Sequence, residues 1–154
     1  MSNIIIREYK TQDWPRIEEI HDCARKIELQ FAGLEDAFIP FAQAAIDEGL
    51  FDYTVVVGQL NDSVVGFVAY SEDEIAWIYV DPSVMRQGIG KSLVKHAIEN
   101  TTCRPLMLEV LVGNEPALRL YEAMGFETLE ILSGSMPGNE SFKVSVHSMQ
   151  LKTA

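Results

Sequence analysis

The stretch SVMRQGIGKSLV, Ser83 to Val94, places two glycines where a strand-like segment gives way to a helical pattern. Glycine lets backbone approach a ligand closely. The unpaired N–H groups of a helix's first turn, with the positive end of its dipole, favour an anion. The tail Gly90-Lys91-Ser92 matches the end of the phosphate-binding pattern G-x-x-x-x-G-K-[ST], but that pattern needs glycine where this chain has Met85. The dinucleotide pattern G-x-G-x-x-G fails in the same way, because Gly88 and Gly90 would demand glycine at Leu93. Each nucleotide pattern therefore lacks a residue with a mechanical role. What remains is a helix start suited to a pyrophosphate. From Pro82 to Ile98 there is no Asp or Glu, while Arg86, Lys91 and Lys95 are present. In a chain of formal net charge −11 this basic patch points to one anionic ligand there, or to chance clustering on a solvated helix face.

Such a loop needs a strand before it and a helix after it. Glu74 to Val80 supplies the strand, stopped by Asp81-Pro82, and Ser92 to Asn100 supplies the helix, with Leu93, Val94, Ala97 and Ile98 as its apolar face. Upstream, Asn3 to Tyr9 reads as a strand. A first helix follows the start signal Thr11 to Pro15, carrying Ile17, Ile20, Ala24 and Ile27 at helical spacing, and a second spans Asp36 to Glu48 and ends at Gly49. Tyr53 to Leu60 and Ser63 to Tyr70 form a hairpin across Asn61-Asp62. Downstream come a strand from Pro105 to Val112, a helix from Glu115 to Met124 closed by Gly125, and strands from Phe126 to Leu132 and Lys143 to Leu151. Between the last two, SGSMPGNES is the most loop-like segment, a mobile lid or a long surface turn.

The 154 residues, 47% of them hydrophobic, suit one domain over residues 1–154 with a real core. The acidic balance argues against a nucleic-acid partner and favours cationic small molecules. No apolar run nears the roughly 20 residues that cross a bilayer, and the N-terminus lacks the features of a signal peptide, so no membrane partner is expected. Cys23 and Cys103, and His21, His96 and His147, match no disulfide or metal spacing. They read as reduced thiols and isolated imidazoles of a cytoplasmic protein without a metal.

IYVDPSVMRQGIGKSLV followed by LEVLVGNEPALRLYEAMGFE closely resembles the GNAT superfamily of N-acetyltransferases, over about Ile75 to Glu127. The resemblance implies an α/β (α+β) single-domain GNAT fold: a mixed, mostly antiparallel central sheet of about seven strands flanked by about four helices. It also implies acetyl-CoA as co-substrate, with the pyrophosphate held by backbone amides of Arg86, Gln87, Gly88, Ile89, Gly90, Lys91 and Ser92. Met85 occupies a loop position that is usually Arg or Gln in the family. The strand Ile78, Tyr79, Val80 would pair with the pantetheine arm almost as an added strand. Asn114 matches the family's asparagine near that arm, and equally reads as the N-cap of the helix at Glu115-Pro116.

Acetyl transfer to an amine needs a neutral nucleophile, although a free alkylamine has a pKa of about 10.4, and it needs a proton for the departing thiolate. By resemblance, the candidate base is Glu109 in LEVLV or Glu74 at the start of the other strand, with water relay as a further route. Tyr121 is the candidate acid, and a packed helix tyrosine is its plain alternative. The N–H of Ile78 is the candidate donor to the thioester carbonyl. The family's two N-terminal helices and last hairpin shape the acceptor side, and here they carry Glu28, Glu35, Asp36, Asp47, Glu48 and Asp52. Such acidity would attract a cationic amine, small or on a peptide, and a solvated helix face explains it as well. A non-catalytic acyl-CoA-binding module is the rival from another class. Many family members are homodimers, but nothing in this sequence locates an interface.

Overall fold

The valine-rich segments of the first half become neighbouring strands in the computed structural model, which describes residues 3–84 and 87–153. Strands β1 (Ile4–Glu8), β2 (Thr54–Leu60), β3 (Ser63–Tyr70) and β4 (Ile75–Val80) form an antiparallel sheet in that order. The β2–β3 turn is Asn61-Asp62, both left-handed at φ 52° and 67°, the geometry that matches the twist of a tight hairpin. A second antiparallel sheet has the order β5 (Leu106–Leu111), β7 (Asn139–Leu151), β6 (Glu127–Met136). The seven strands are thus divided between two sheets. Glu74 and Met107 make a parallel bridge between them, with the Met107 N–H donating to Asp73 O at 2.9 Å. Beyond that vertex β4 and β5 diverge.

Helix α1 (Trp14–Phe31) lies on one face of the first sheet with the short α2 (Phe41–Asp47), where Ile17, Ile20 and Phe41 pack with Val57, Phe67 and Trp77. Helix α3 (Ile89–Glu99) takes the opposite face and buries Ile89, Leu93, Val94 and Ala97. Helix α4 (Glu115–Ala123) covers the second sheet beside it. These two apolar layers are what hold the vertex of the wedge in place.

Three features differ from the sequence expectation. The helix expected over 36–48 is broken: a single 3-10 turn at Glu35–Ala37 is separated from α2 by Phe38 to Pro40. Pro40 cannot continue a helix and biases Ile39 towards extended backbone, and Phe38 has already left the helical region at ψ 132°. The stretch Ser133 to Ser141 is no long loop. Strands β6 and β7 run through it, with Ser133 Oγ and Ser145 Oγ 2.7 Å apart, and only Pro137-Gly138 turns. Cross-strand pairing overrides the weak strand preference of serine and glycine there. Helix α3 also begins at Ile89, three residues earlier than expected.

Gly58 and Gly66 are paired across β2 and β3, and α3 sits directly over them. A Cβ on Gly66 would lie 3.0 Å from Tyr79 O, 3.1 Å from Leu93 Cδ1 and 3.3 Å from Ile89 Cγ2. We expect Gly66→Val to lower the free energy of unfolding by roughly 1–3 kcal/mol in urea titration. Gly134→Val, at a position with nothing within 4 Å, is the control and should change it by less than about 1 kcal/mol.

Candidate active site

The wedge between β4 and β5 is a cavity of about 410 Å³. Its backbone polarity follows from strand register. The Asp81 N–H donates to Val65 O at 2.8 Å, and Val80, Tyr79 and Ile78 stand opposite Gly66, Phe67 and Val68. Hydrogen-bonded pairs alternate along an antiparallel ladder, so Tyr79 spends its backbone groups on β3, while Ile78 and Val80 direct theirs into the wedge. On the other wall the Val112 N–H donates to Ser145 O at 2.9 Å, which leaves the backbone of Glu109 and Leu111 facing β4. The open edges give an extended polar chain something to pair with.

At the wide end of β4 lies the start of α3. Gly88, at φ +79°, is its N-cap and has no side chain to cap with. Ser92 donates both its N–H and its hydroxyl to Gly88 O, at 3.0 and 2.9 Å, so its side chain is committed to its own helix. The N–H groups of Ile89, Gly90 and Lys91 precede that first intrahelical bond and are the ones available to an anion. The Ile89 side chain is in the core, so it offers backbone only. A Cβ on Gly90 would meet Leu120 Cδ2 at 3.3 Å and Val80 Cγ2 at 3.7 Å, which fixes the helix start against β4 and α4. Gln87 and Lys91 are exposed beside it. Met85 and Arg86 lie outside the described residues.

Helix α4 holds the opposite corner through both of its ends. Asn114 is its N-cap, accepting from the Ala117 N–H at 3.4 Å, and it also donates Nδ2 to Glu28 Oε2 at 3.4 Å. The adjacent Gly113, at φ +105°, passes so close to the end of α1 that a Cβ would stand 2.6 Å from Phe31 O. At the other end the Gly125 N–H donates to Glu122 O and the Phe126 N–H to Tyr121 O, at 3.1 and 3.0 Å, with Gly125 at φ +101°. This is a Schellman motif, closed by the contact of the Tyr121 and Phe126 rings at 6.0 Å. It locks Tyr121 with its side chain lining the cavity and 6% exposed. Burial, then the nearby Glu28 carboxylate, raises the Tyr121 phenol well above its usual pKa, so it stays protonated.

The two expected carboxylates stand near the vertex. Glu74 Oε1 accepts from the Tyr53 hydroxyl at 3.0 Å, and Glu109 is exposed on the β5 wall. Both line the main cavity, and both also line a second hollow with Asp73 and Ser148. Of the acidic residues expected on the acceptor side, Glu28 and Glu48 line the cavity, whereas Glu35, Asp36, Asp47 and Asp52 are not part of its wall.

Sequence reasoning expected Glu28 of α1 on the acceptor side but missed His21 and Arg25 beside it. His21, Arg25 and Glu28, spaced i, i+4, i+7, put polar groups on a face that is turned into the cavity. Arg25 Nη1 donates to Glu28 Oε1 at 3.0 Å. Burial raises the Glu28 pKa, partly offset by Arg25, and burial with the adjacent Glu28 carboxylate raises that of Tyr79. The available signal was a polar stripe on a helix whose apolar stripe already accounts for the core.

A sequence model of the acetyltransferase (GNAT) family matches residues 13–126. The chain belongs to that family. The peptidyl-lysine N-acetyltransferase YiaC of Escherichia coli K12 is 35% identical over 75 residues, 48% of this chain and 50% of that protein. The matched segments reach 33%, 50% and 56% of the length of three curated relatives, so the chain spans at most about half of each. Among solved structures, a GCN5-related N-acetyltransferase from Rhodopseudomonas palustris superposes at TM-score 0.81, with 19% identity, over 99% of this chain and 98% of that one. The protein yncA of Salmonella typhimurium, solved with acetyl-CoA as its cofactor, superposes at 0.69 with 20% identity, over 97% of this chain and 93% of that one. At such identities the likeness concerns the fold, which is the GNAT fold expected from the sequence. Among the described residues no helix is long and apolar enough to cross a membrane, and no group of three or more His, Cys, Asp or Glu is placed to hold a metal.

His21 gives this GNAT site a pH signature. It is 2% exposed, stacks on Phe41 at 4.5 Å, and is lowered by burial to a pKa of about 4, against the pull of Asp22. Between its folded value and the unfolded value near 6.5, the unfolded chain binds the proton and the folded one does not. Its contribution is therefore present above about pH 6.5 and is lost as pH falls towards 4, by on the order of 3 kcal/mol. We expect Tm to fall over that window, and His21→Phe to lose most of the dependence. An unchanged slope in the variant would assign the acid sensitivity to other groups.

Proposed function

We propose that this chain is an acetyl-CoA-dependent N-acetyltransferase acting on a primary amine by direct attack in a ternary complex. The observation that carries the reading is a sequence of neighbours: Ile78 and the Tyr121 side chain line one cavity, and the uncapped start of α3 adjoins the end of the same strand at Val80, where a Cβ on Gly90 would stand 3.7 Å from Val80 Cγ2. Acetyl-CoA fits that donor set, a pyrophosphate against the amides of Ile89 to Lys91 and an amide-bearing arm along β4. Acetyl-CoA supplies the acyl group already activated as a thioester.

The residues then divide the work. The Ile78 N–H, fixed by the β3–β4 ladder, donates to the thioester carbonyl oxygen without reorganising. The transfer breaks the C–S bond and forms the amide C–N bond. The amine's proton passes to a carboxylate, directly or through water, and Tyr121 donates towards the leaving sulfur. Glu109 is the freer base, because Glu74 already accepts from Tyr53. A phenol raised by burial is a poor net acid but a persistent donor, so the part we assign to Tyr121 is a hydrogen bond to the sulfur as the charge develops. No covalent enzyme intermediate is required.

The deciding experiment is free-thiol release from acetyl-CoA by the purified protein across a panel of small amines and peptides. Release that depends on an amine supports the enzyme; tight acetyl-CoA binding with no release from any amine supports the acyl-CoA-binding module instead. Within the enzyme reading, Tyr121→Phe should lower kcat by about 10- to 100-fold and leave acetyl-CoA affinity within about threefold. Gly88→Glu, which sets a carboxylate at the helix start, should weaken acetyl-CoA binding by about 100-fold or more in calorimetry, and ordinary affinity in that variant would move the pyrophosphate elsewhere.

A further inference from the structure

The acceptor half of the cavity is roofed, and the roof restricts what can enter. The β6–β7 hairpin reaches across to the segment between α1 and α2: Asn139 Nδ2 donates to Ala37 O at 3.2 Å, and a Cβ on Gly138 would stand 3.2 Å from Ile39 Cδ1. Beneath this contact Met136, at 4% exposure, packs with Leu29, Ala37 and Leu111 into a cluster separate from the other two cores. The hairpin arm, the end of α1 and the 35–39 segment are therefore one packed unit. The hairpin and the 37–39 segment both line the cavity and join above it, which leaves less room for the backbone that must continue on both sides of a lysine within an extended peptide than for a free amine.

We infer that the acceptor is a small primary amine with a compact apolar body, rather than a lysine within a polypeptide. This rests on the acetyltransferase reading and deepens it. Three observations support the class. The volume, about 410 Å³, lies in the range of small-molecule sites and must also admit the reactive end of the co-substrate. The acceptor-side lining carries an apolar patch of Ile39, Ala44, Trp77, Met136 and Val146 beside the polar groups of His21, Ser133 and Ser135. Glu28 and Glu48 face the same space, and although Glu28 is bonded to Arg25 at 3.0 Å and burial raises both carboxyls, their remaining oxygens can accept from an amine N–H. The chemistry differs from that named for YiaC, which acts on peptidyl-lysine.

The test uses binding, so it does not depend on finding the natural acceptor. Three probes are compared by calorimetry on the full chain: acetyl-CoA; CoA joined through an acetyl spacer to the nitrogen of 3-methylbutylamine; and the same spacer joined to the side chain of the central lysine in a nine-residue peptide. The expected result is that the small-amine conjugate binds at least tenfold tighter than acetyl-CoA and the peptide conjugate no tighter than acetyl-CoA. A peptide conjugate that binds as tightly as the small one, or a small conjugate no tighter than acetyl-CoA, overturns the inference and leaves the enzyme reading standing. Failure of acetyl-CoA itself to bind overturns that reading, and the inference with it.

Discussion

The structure depends on a sheet that stops pairing. β4 and β5 touch at Glu74 and Met107 and then part, so each keeps one edge of backbone donors and acceptors facing the other across a gap. Exposed strand edges are ordinarily a hazard, and here the diverging walls shelter them inside the molecule. Everything in the site is measured from that wedge. The register of β3 on β4 selects Ile78 and Val80 to face it, α3 starts at its wide end, and α4 brings Tyr121 to its wall.

Keeping the wedge open is a packing problem, solved on both faces. Paired glycines at 58 and 66 let α3 descend onto the first sheet, while α1 and the aromatic group of Phe41, Phe67 and Trp77 load the other side. Arg16 ties α1 to the turn after β4 through Asp81 and to β3 through Val64 O at 2.8 Å. The close pass of Gly113 at Phe31 O joins the second sheet's loop to the end of α1. The polar groups within the wedge are consequently supported from four elements, and the pair Glu28 and Asn114, 86 residues apart, meet because of it.

Burial then sets the protonation states of those groups. Tyr121 and Tyr79 are held neutral, Glu28 is pushed towards its neutral form, and His21 resists protonation, all chiefly because charge is poorly solvated there.

Much of this was legible in the sequence because it is local. The hairpin at Asn61-Asp62, the glycines at the start of α3, the cap at Asn114 and the closure at Gly125 are decisions of backbone conformation over a few residues, and the chain states them in its residue types. Pro40 was as local a signal, and it splits the helix that the apolar pattern of 36–48 favoured. Other features needed the assembled molecule. Whether seven strands form one sheet or two depends on the twist and packing of whole layers. The strand character of Ser133 to Ser141 comes from its partner strand and from Ala37. The inward turn of Arg25 and Glu28 is set by where α1 lies across the wedge. The sequence by itself determined the family, the order of elements and the glycine-led start of a helix after β4, since these rest on short-range geometry. Tertiary structure alone decided the depth of the cavity, the hairpin contact with Ala37 that closes over part of it and the protonation of its polar groups, because desolvation and enclosure belong to surroundings that distant segments build together.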